Sequence, residues 1–102
     1  MQRFKAITCI IPSGHALKLL ERLHAEQGVT GVYAHHARDV AAHSGGRMIA
    51  DESEIVTVLA PEAEADRLFE WLHQAAGIGE PKGGLVFMER LLAARASPAP
   101  EA

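Results

Sequence analysis

The chain is short of the residues that most often mark a site or a compartment. It has one cysteine, Cys9, in 102 residues, which excludes an intramolecular disulfide. Cys9 falls inside the apolar run of residues 4–11, where it is expected to be an inert buried hydrophobe rather than a nucleophile. Such usage suits a reducing compartment. Aromatic residues make up only 5%, which leaves the core to Ala, Val, Leu and Ile. Long hydrophobic runs are missing too. No segment approaches the roughly 18 apolar residues of a membrane span, and the amino-terminal MQRFKAITCIIPSGH lacks a signal peptide's apolar region and cleavage site. A cytoplasmic protein without direct membrane insertion is expected. Positive charge is in deficit, with a formal net charge of −3 and no cluster of Lys and Arg, so nucleic acid is not an expected partner. Ser13, Ser44 and Ser53 stand in no nucleophile elbow and have no evident base, and an enzyme is not expected.

What is present is ordinary globular material, 48% hydrophobic and 23% charged, enough at this length for one domain with one core. Residues 4–11, FKAITCII, carry apolar side chains at odd and even positions alike and end at Pro12. They predict a strand covered on both faces. Ser13 is placed to cap a helix in which Ala16, Leu19, Leu20 and Leu23 recur at helical spacing, with Lys18, Glu21, Arg22 and Glu26 elsewhere and Gly28 as its stop. Residues 28–37, GVTGVYAHHA, predict a second strand that turns polar at its end. Residues 38–53, RDVAAHSGGRMIADES, show no sustained period and are expected to form a long exposed loop, with Asp51 and Glu52 as solvated acidic residues before the next strand. EIVTVLA, at 54–60, predicts a third strand, and Pro61 suits the first turn of a second helix. That helix has Ala65, Leu68, Phe69, Leu72 and Ala76 on one stripe, Trp71 packing beside it and Gly77 as its end. The linker GIGEPKGG then leads into a fourth strand, LVFMERLL. The domain is expected to occupy residues 1–95, and the small, polar, Pro-containing tail 96–102 to be disordered.

Strand, helix, strand, strand, helix, strand is the split βαβ order. The expected class is α+β: a ferredoxin-like βαββαβ sandwich, a four-stranded antiparallel sheet with two helices on one face. Two helices roof only one face, yet the first and third strands are apolar on both. The second face must therefore be buried, and self-association is the simplest cover.

With this order on the page, GVTGVYAHHARDV at the end of the second strand resembles the corresponding segment of the PII signalling proteins and their PII-like relatives. The loop at 38–53 falls where that family has its T-loop, and GIGEPKGGLVF falls on its B-loop and fourth strand. The resemblance covers roughly residues 4–92 and implies a homotrimer with nucleotide clefts between subunits. Carried over by position, it implies nucleotide contacts from Gly31 and Val32, from a T-loop base of Arg38, Asp39, Val40 and Ala41, and from Leu59 as an adenine wall. It also implies contacts from a B-loop of Gly79, Glu80, Pro81, Lys82, Gly83 and Gly84. In that loop the glycines allow backbone N–H groups to converge on an anion beside Lys82, although a plain helix-to-strand turn needs the same glycines.

Departures from the family pattern shape the expected effector. Asp39 and Ala41 stand where classical members have glycine, Leu85 replaces the lysine that opens the fourth strand, and Ala96 and Pro98 fall where arginines are expected. Fewer cations favour ADP or AMP over ATP. No tyrosine lies between Arg38 and Ser53, so the loop has no acceptor for uridylylation. Relatives that sense inorganic carbon make bicarbonate a further candidate by resemblance, with Arg38 and Arg47 as loop cations. The regulated partner is expected to be a protein, a membrane transporter by resemblance, met through a loop surface that includes Arg38, His43, Arg47 and Asp51. Six histidines support an alternative. His35, His36 and His43, gathered from three chains, offer ligands for a divalent metal in a CutA-like trimer or a metal-efflux regulator. The competing reading is a set of solvated histidines, since no His-x3-His spacing is present.

Overall fold

The element order is β1 (Phe4–Pro12), α1 (Ala16–Gln27), β2 (Val32–Ser44), β3 (Arg47–Pro61), α2 (Glu62–Ala75) and β4 (Leu85–Arg90). The computed structural model describes residues 3–29, 31–44, 47–81 and 83–92, with the backbone alone at 33, 35–44 and 47–51. The expected disordered tail at 96–102 lies outside the described residues, as does Lys82.

One antiparallel sheet has the strand order β2-β3-β1-β4. This puts β1 and β3 in the middle, where their apolar content on both faces belongs. The register sets Ile7 opposite Val58 and Cys9 opposite Val56. Ile7, Cys9, Ile11, Val56, Val58 and Ala60 therefore share one face and meet Ala16, Leu19 and Leu23 of α1 and Ala65, Leu68 and Leu72 of α2 in a single core. Burial pushes the Cys9 thiol up to about 12, so it is neutral and inert at ordinary pH, as its place in an apolar run implied.

The helix ends follow local chemistry at one terminus and distant chemistry at the other. Gly28 adopts φ 67° and stops α1, its amide donating to the His24 carbonyl at 3.1 Å while the Val29 amide reaches the Leu23 carbonyl at 3.2 Å. At the start of α1, the expected Ser13 cap gives way. The N-cap is His15, with no side-chain cap of its own. Instead Glu54 of β3 accepts hydrogen bonds from the Gly14 amide and, at 3.3 Å, from the Ala16 amide. A carboxylate at the positive end of a helix serves as well as a local cap, and the neighbouring strand supplies it here. Pro61 closes β3 as the N-cap of α2 rather than entering its first turn, which holds Glu62 and Glu64. The helices touch through Trp71, half-buried, with the Arg22 guanidinium 5.3 Å above its ring, so the packing role expected of Trp71 is the one it has.

The largest departure from the sequence reading lies at 38–53. The segment is not a loop: β2 continues to Ser44 and β3 begins at Arg47, pairing through Arg38↔Glu52, Asp39↔Asp51, Val40↔Ala50 and Ala41↔Ile49, with a register shift before Ser44↔Arg47. Asp51 and Glu52 are strand residues, not a preamble to one. β1 ends at Pro12, opposite Ser53, so beyond that point, among the described residues, β2 and β3 pair only with each other, as a two-stranded ribbon. Cross-strand hydrogen bonds satisfy the backbone without requiring apolar alternation, and the lack of period concealed the strands.

Candidate ligand site

The residues singled out by sequence fall into three groups on this frame. Gly31 and Val32 open β2 beside Leu59, whose amide donates to the Gly31 carbonyl at 3.1 Å. A Cβ built on Gly31 would lie 3.7 Å from the Leu59 carbonyl oxygen, an ordinary contact. These three residues are thus brought together. Arg38, Asp39, Val40 and Ala41 lie further along β2, at the base of the ribbon, opposite residues 49–52. His35, His36 and His43 are on the same strand, and Arg47 and Asp51 are on β3. The side chains from 35 to 51 lie outside the described residues, and with them the metal and partner contacts expected of those histidines, arginines and acids.

The glycine loop between α2 and β4 forms the third group. The Gly77 amide donates to the Gln74 carbonyl, Ile78 to His73, Glu80 to Gly77 and Gly83 to Glu80, at 2.9–3.2 Å. Two amides of the expected anion cradle, Glu80 and Gly83, are therefore engaged within the loop in this conformation, and the two amides before it are engaged with the helix end. The glycines answer to space. A Cβ on Gly83 would lie 1.9 Å from the Gly77 carbonyl oxygen, and one on Gly84, at φ 103°, would lie 2.0 Å from the Ile10 carbonyl oxygen. The loop folds on itself and presses against β1 so closely that no side chain fits. Its inner side borders a cavity of about 340 Å³ whose lining includes His15, Gln74, Glu80, Pro81 and Gly83.

The register decides whether one chain assembles these pieces. Gly84 lies beside Ile10 and Ile11, and Arg38 is one residue past the pair Pro12–Ser53, so the ribbon base and the glycine loop sit at the same end of the sheet. They belong to opposite edges, however, separated by three strand spacings or about 14 Å. The Gly31–Leu59 contact is at the level of Ala6, nearer the other end. A single copy does not close one pocket around all three groups.

The sheet face turned away from the helices carries Ala6, Thr8 and Ile10 of β1, Ile55, Thr57 and Leu59 of β3, and Phe87 of β4, aligned by register. Thr8 and Thr57 oppose each other with their hydroxyls 3.5 Å apart. Except for Ala6, which is buried, these side chains are only half-buried, and none belongs to the helix-side core. Sequence reasoning missed Glu54, the residue that ties the ribbon base to α1. It stands 40 positions from Gly14, beyond the reach of any local capping pattern.

No family model matches the chain, and no curated protein matches it by sequence. Solved structures do resemble it. GlnK of B. subtilis in its ATP complex superposes with a TM-score of 0.71 at 14% identity, over 87% of this chain and 82% of that one. CutA1 from Pyrococcus horikoshii gives 0.69 at 13% identity, over 89% and 86%. PII of Arabidopsis thaliana bound to citrate gives 0.67 at 15% identity, over 87% and 78%. The chain thus has the α+β fold of these PII proteins and CutA1.

Proposed function

We propose that the chain is a PII-like signalling protein that assembles as a homotrimer and binds a small effector in the clefts between subunits. ADP or AMP is favoured over ATP, with bicarbonate as a further candidate. The β2–β3 ribbon, in the place of the T-loop, carries the response to a partner protein, a transporter by analogy. The observation that supports this reading is the sheet face of Ala6, Ile10, Ile55, Leu59 and Phe87, apolar and outside the helix-side core. Burying such a face against identical copies is the direct way to remove it from water, and it brings the ribbon base of one copy toward the edge of another. The likeness in fold to GlnK, solved in complex with ATP, supports an adenine nucleotide as the class to test. The absence of lysine at Leu85 and of glycine at Asp39 and Ala41 gives the preference for fewer phosphates.

Light scattering coupled to gel filtration should return a trimer, and Ile10→Glu, a charge set in the middle of that face, should dissociate it. A wild-type monomer would remove the clefts and the proposal with them. Calorimetric titration should show ADP or AMP binding at least as tightly as ATP, and the reverse order overturns the ranking. The likeness to CutA1, and a β2–β3 segment that is ribbon rather than loop, favour a second reading: a metal-binding trimer using His35, His36 and His43. Equilibrium dialysis against Zn, Ni and Cu separates the two. Retained metal without nucleotide affinity favours the second, and no retained metal disposes of it.

A further inference from the structure

On the helical side, away from the inter-subunit face, a second cavity of about 350 Å³ opens between the first two turns of α1 and the last turn of α2. Its floor is apolar: Ile11 and Leu19 are 2% and 4% exposed, and Ala75 and Ala76 form the far wall. Its near wall carries an imidazole and two cations. His15, Lys18 and Arg22 recur at i, i+3 and i+7 along one side of α1 and all three line the cavity. Among the described residues that line it, none is acidic. Arg22 is held in place by Trp71 below it and by Glu26, which takes two of the five guanidinium donors. A planar donor already fixed in direction loses little freedom when it meets a ligand. The volume is at the small end of metabolite pockets.

We propose that this cleft binds a small organic anion, with its acidic head against His15, Lys18 and Arg22 and its apolar body over Ile11, Leu19, Ala75 and Ala76. The helix terminus itself is not the anion's seat, because Glu54 already holds the Gly14 and Ala16 amides there. The site lies within one subunit and stands whether or not the chain trimerises. It also shares His15, Ala75 and Ala76 with the cavity behind the glycine loop, so an occupant touches the end of α2 from which that loop departs.

Amide-resolved NMR titration of the full chain with hexyl phosphate, hexanoate, inorganic phosphate and acetate tests the site, the first pair separating phosphate from carboxylate heads. Saturable shifts at residues 14–22 and 75–77 are expected, with hexyl phosphate or hexanoate at least about fivefold tighter than the matching small anion, from burial of part of the alkyl chain. Lys18→Ala, an exposed change that leaves the core intact, should weaken binding about threefold. Equal affinity for alkyl and small anions, an unchanged affinity in Lys18→Ala, shifts confined to residues 31 and 59, or no saturation with any of the four overturns the proposal.

Discussion

Glu54 gives the most direct test of how the ribbon is joined to the domain. Its carboxylate accepts from Gly14 and Ala16, replacing the local cap that α1 lacks. Glu54→Ala leaves those amides without their protein acceptor and removes a negative charge from the positive end of the helix. A cap of this kind contributes about 1 kcal/mol, up to about 2 when the helix start is partly covered. For a domain of this size, 1 kcal/mol corresponds to roughly 4–8 °C in the thermal midpoint. Glu54→Gln keeps a neutral oxygen acceptor and should lose less than half as much. Ser13→Ala should change nothing measurable, because Ser13 is not the cap. Urea unfolding followed by circular dichroism, at one fixed chain concentration so that assembly contributes equally, compares the three variants. If Ser13→Ala costs as much as Glu54→Ala, or if Glu54→Ala lies within about 0.3 kcal/mol of wild type, the cap is local and the link between β3 and α1 carries no energy.

Other outcomes follow from the same geometry. Gly83→Ala and Gly84→Ala each place a Cβ about 2 Å from a carbonyl oxygen and should each cost at least about 2 kcal/mol in urea. Gly14→Ala meets nothing within 4 Å and should cost only the roughly 1 kcal/mol of its positive φ; equal losses at all three sites would refute the packing account of the loop. The raised Cys9 thiol should not react with a disulfide reagent at pH 8 until urea unfolds the chain, and rapid labelling of native protein would contradict its burial. Because the unfolded thiol ionises near its ordinary value of 9.0 while the folded one holds its proton to about 12, its contribution to stability is complete below pH 9 and declines as the pH rises towards 12.

Where the sequence was readable, the reason is that the signal was local. The two-faced apolar content of FKAITCII fits a central strand, and β1 pairs on both sides. The stripe of Ala16, Leu19 and Leu23 is the buried side of α1, and Gly28 is its left-handed stop. Side-chain period is a weak signal for the ribbon, because the polar segment 38–53 sustains none. A better one was present: Gly45-Gly46 stands between two seven-residue arms, 38–44 and 47–53. A Gly-Gly pair at the midpoint of equal arms is a two-residue hairpin signature even when the arms are polar.

The site was readable only as a set of parts, for a reason that lies in the topology. A strand order of β2-β3-β1-β4 puts the two elements most suited to hold a ligand, the ribbon base on β2 and the glycine loop before β4, at one end but on opposite edges. Side chains do not bridge about 14 Å of sheet. A pocket that uses both must take one edge from each of two copies, and the apolar face across Ala6, Ile10, Ile55 and Leu59 offers the means to bring those copies together. On the function proposed above, assembly and ligand binding are one equilibrium: an effector that fits between edges binds only the assembled form and shifts the chain towards it by mass action. Dilution should therefore weaken effector affinity, and saturating effector should lower the concentration at which assemblies dissociate. An affinity that stays constant from well above to well below that concentration places the ligand within a single copy, in the α1–α2 cleft rather than between edges.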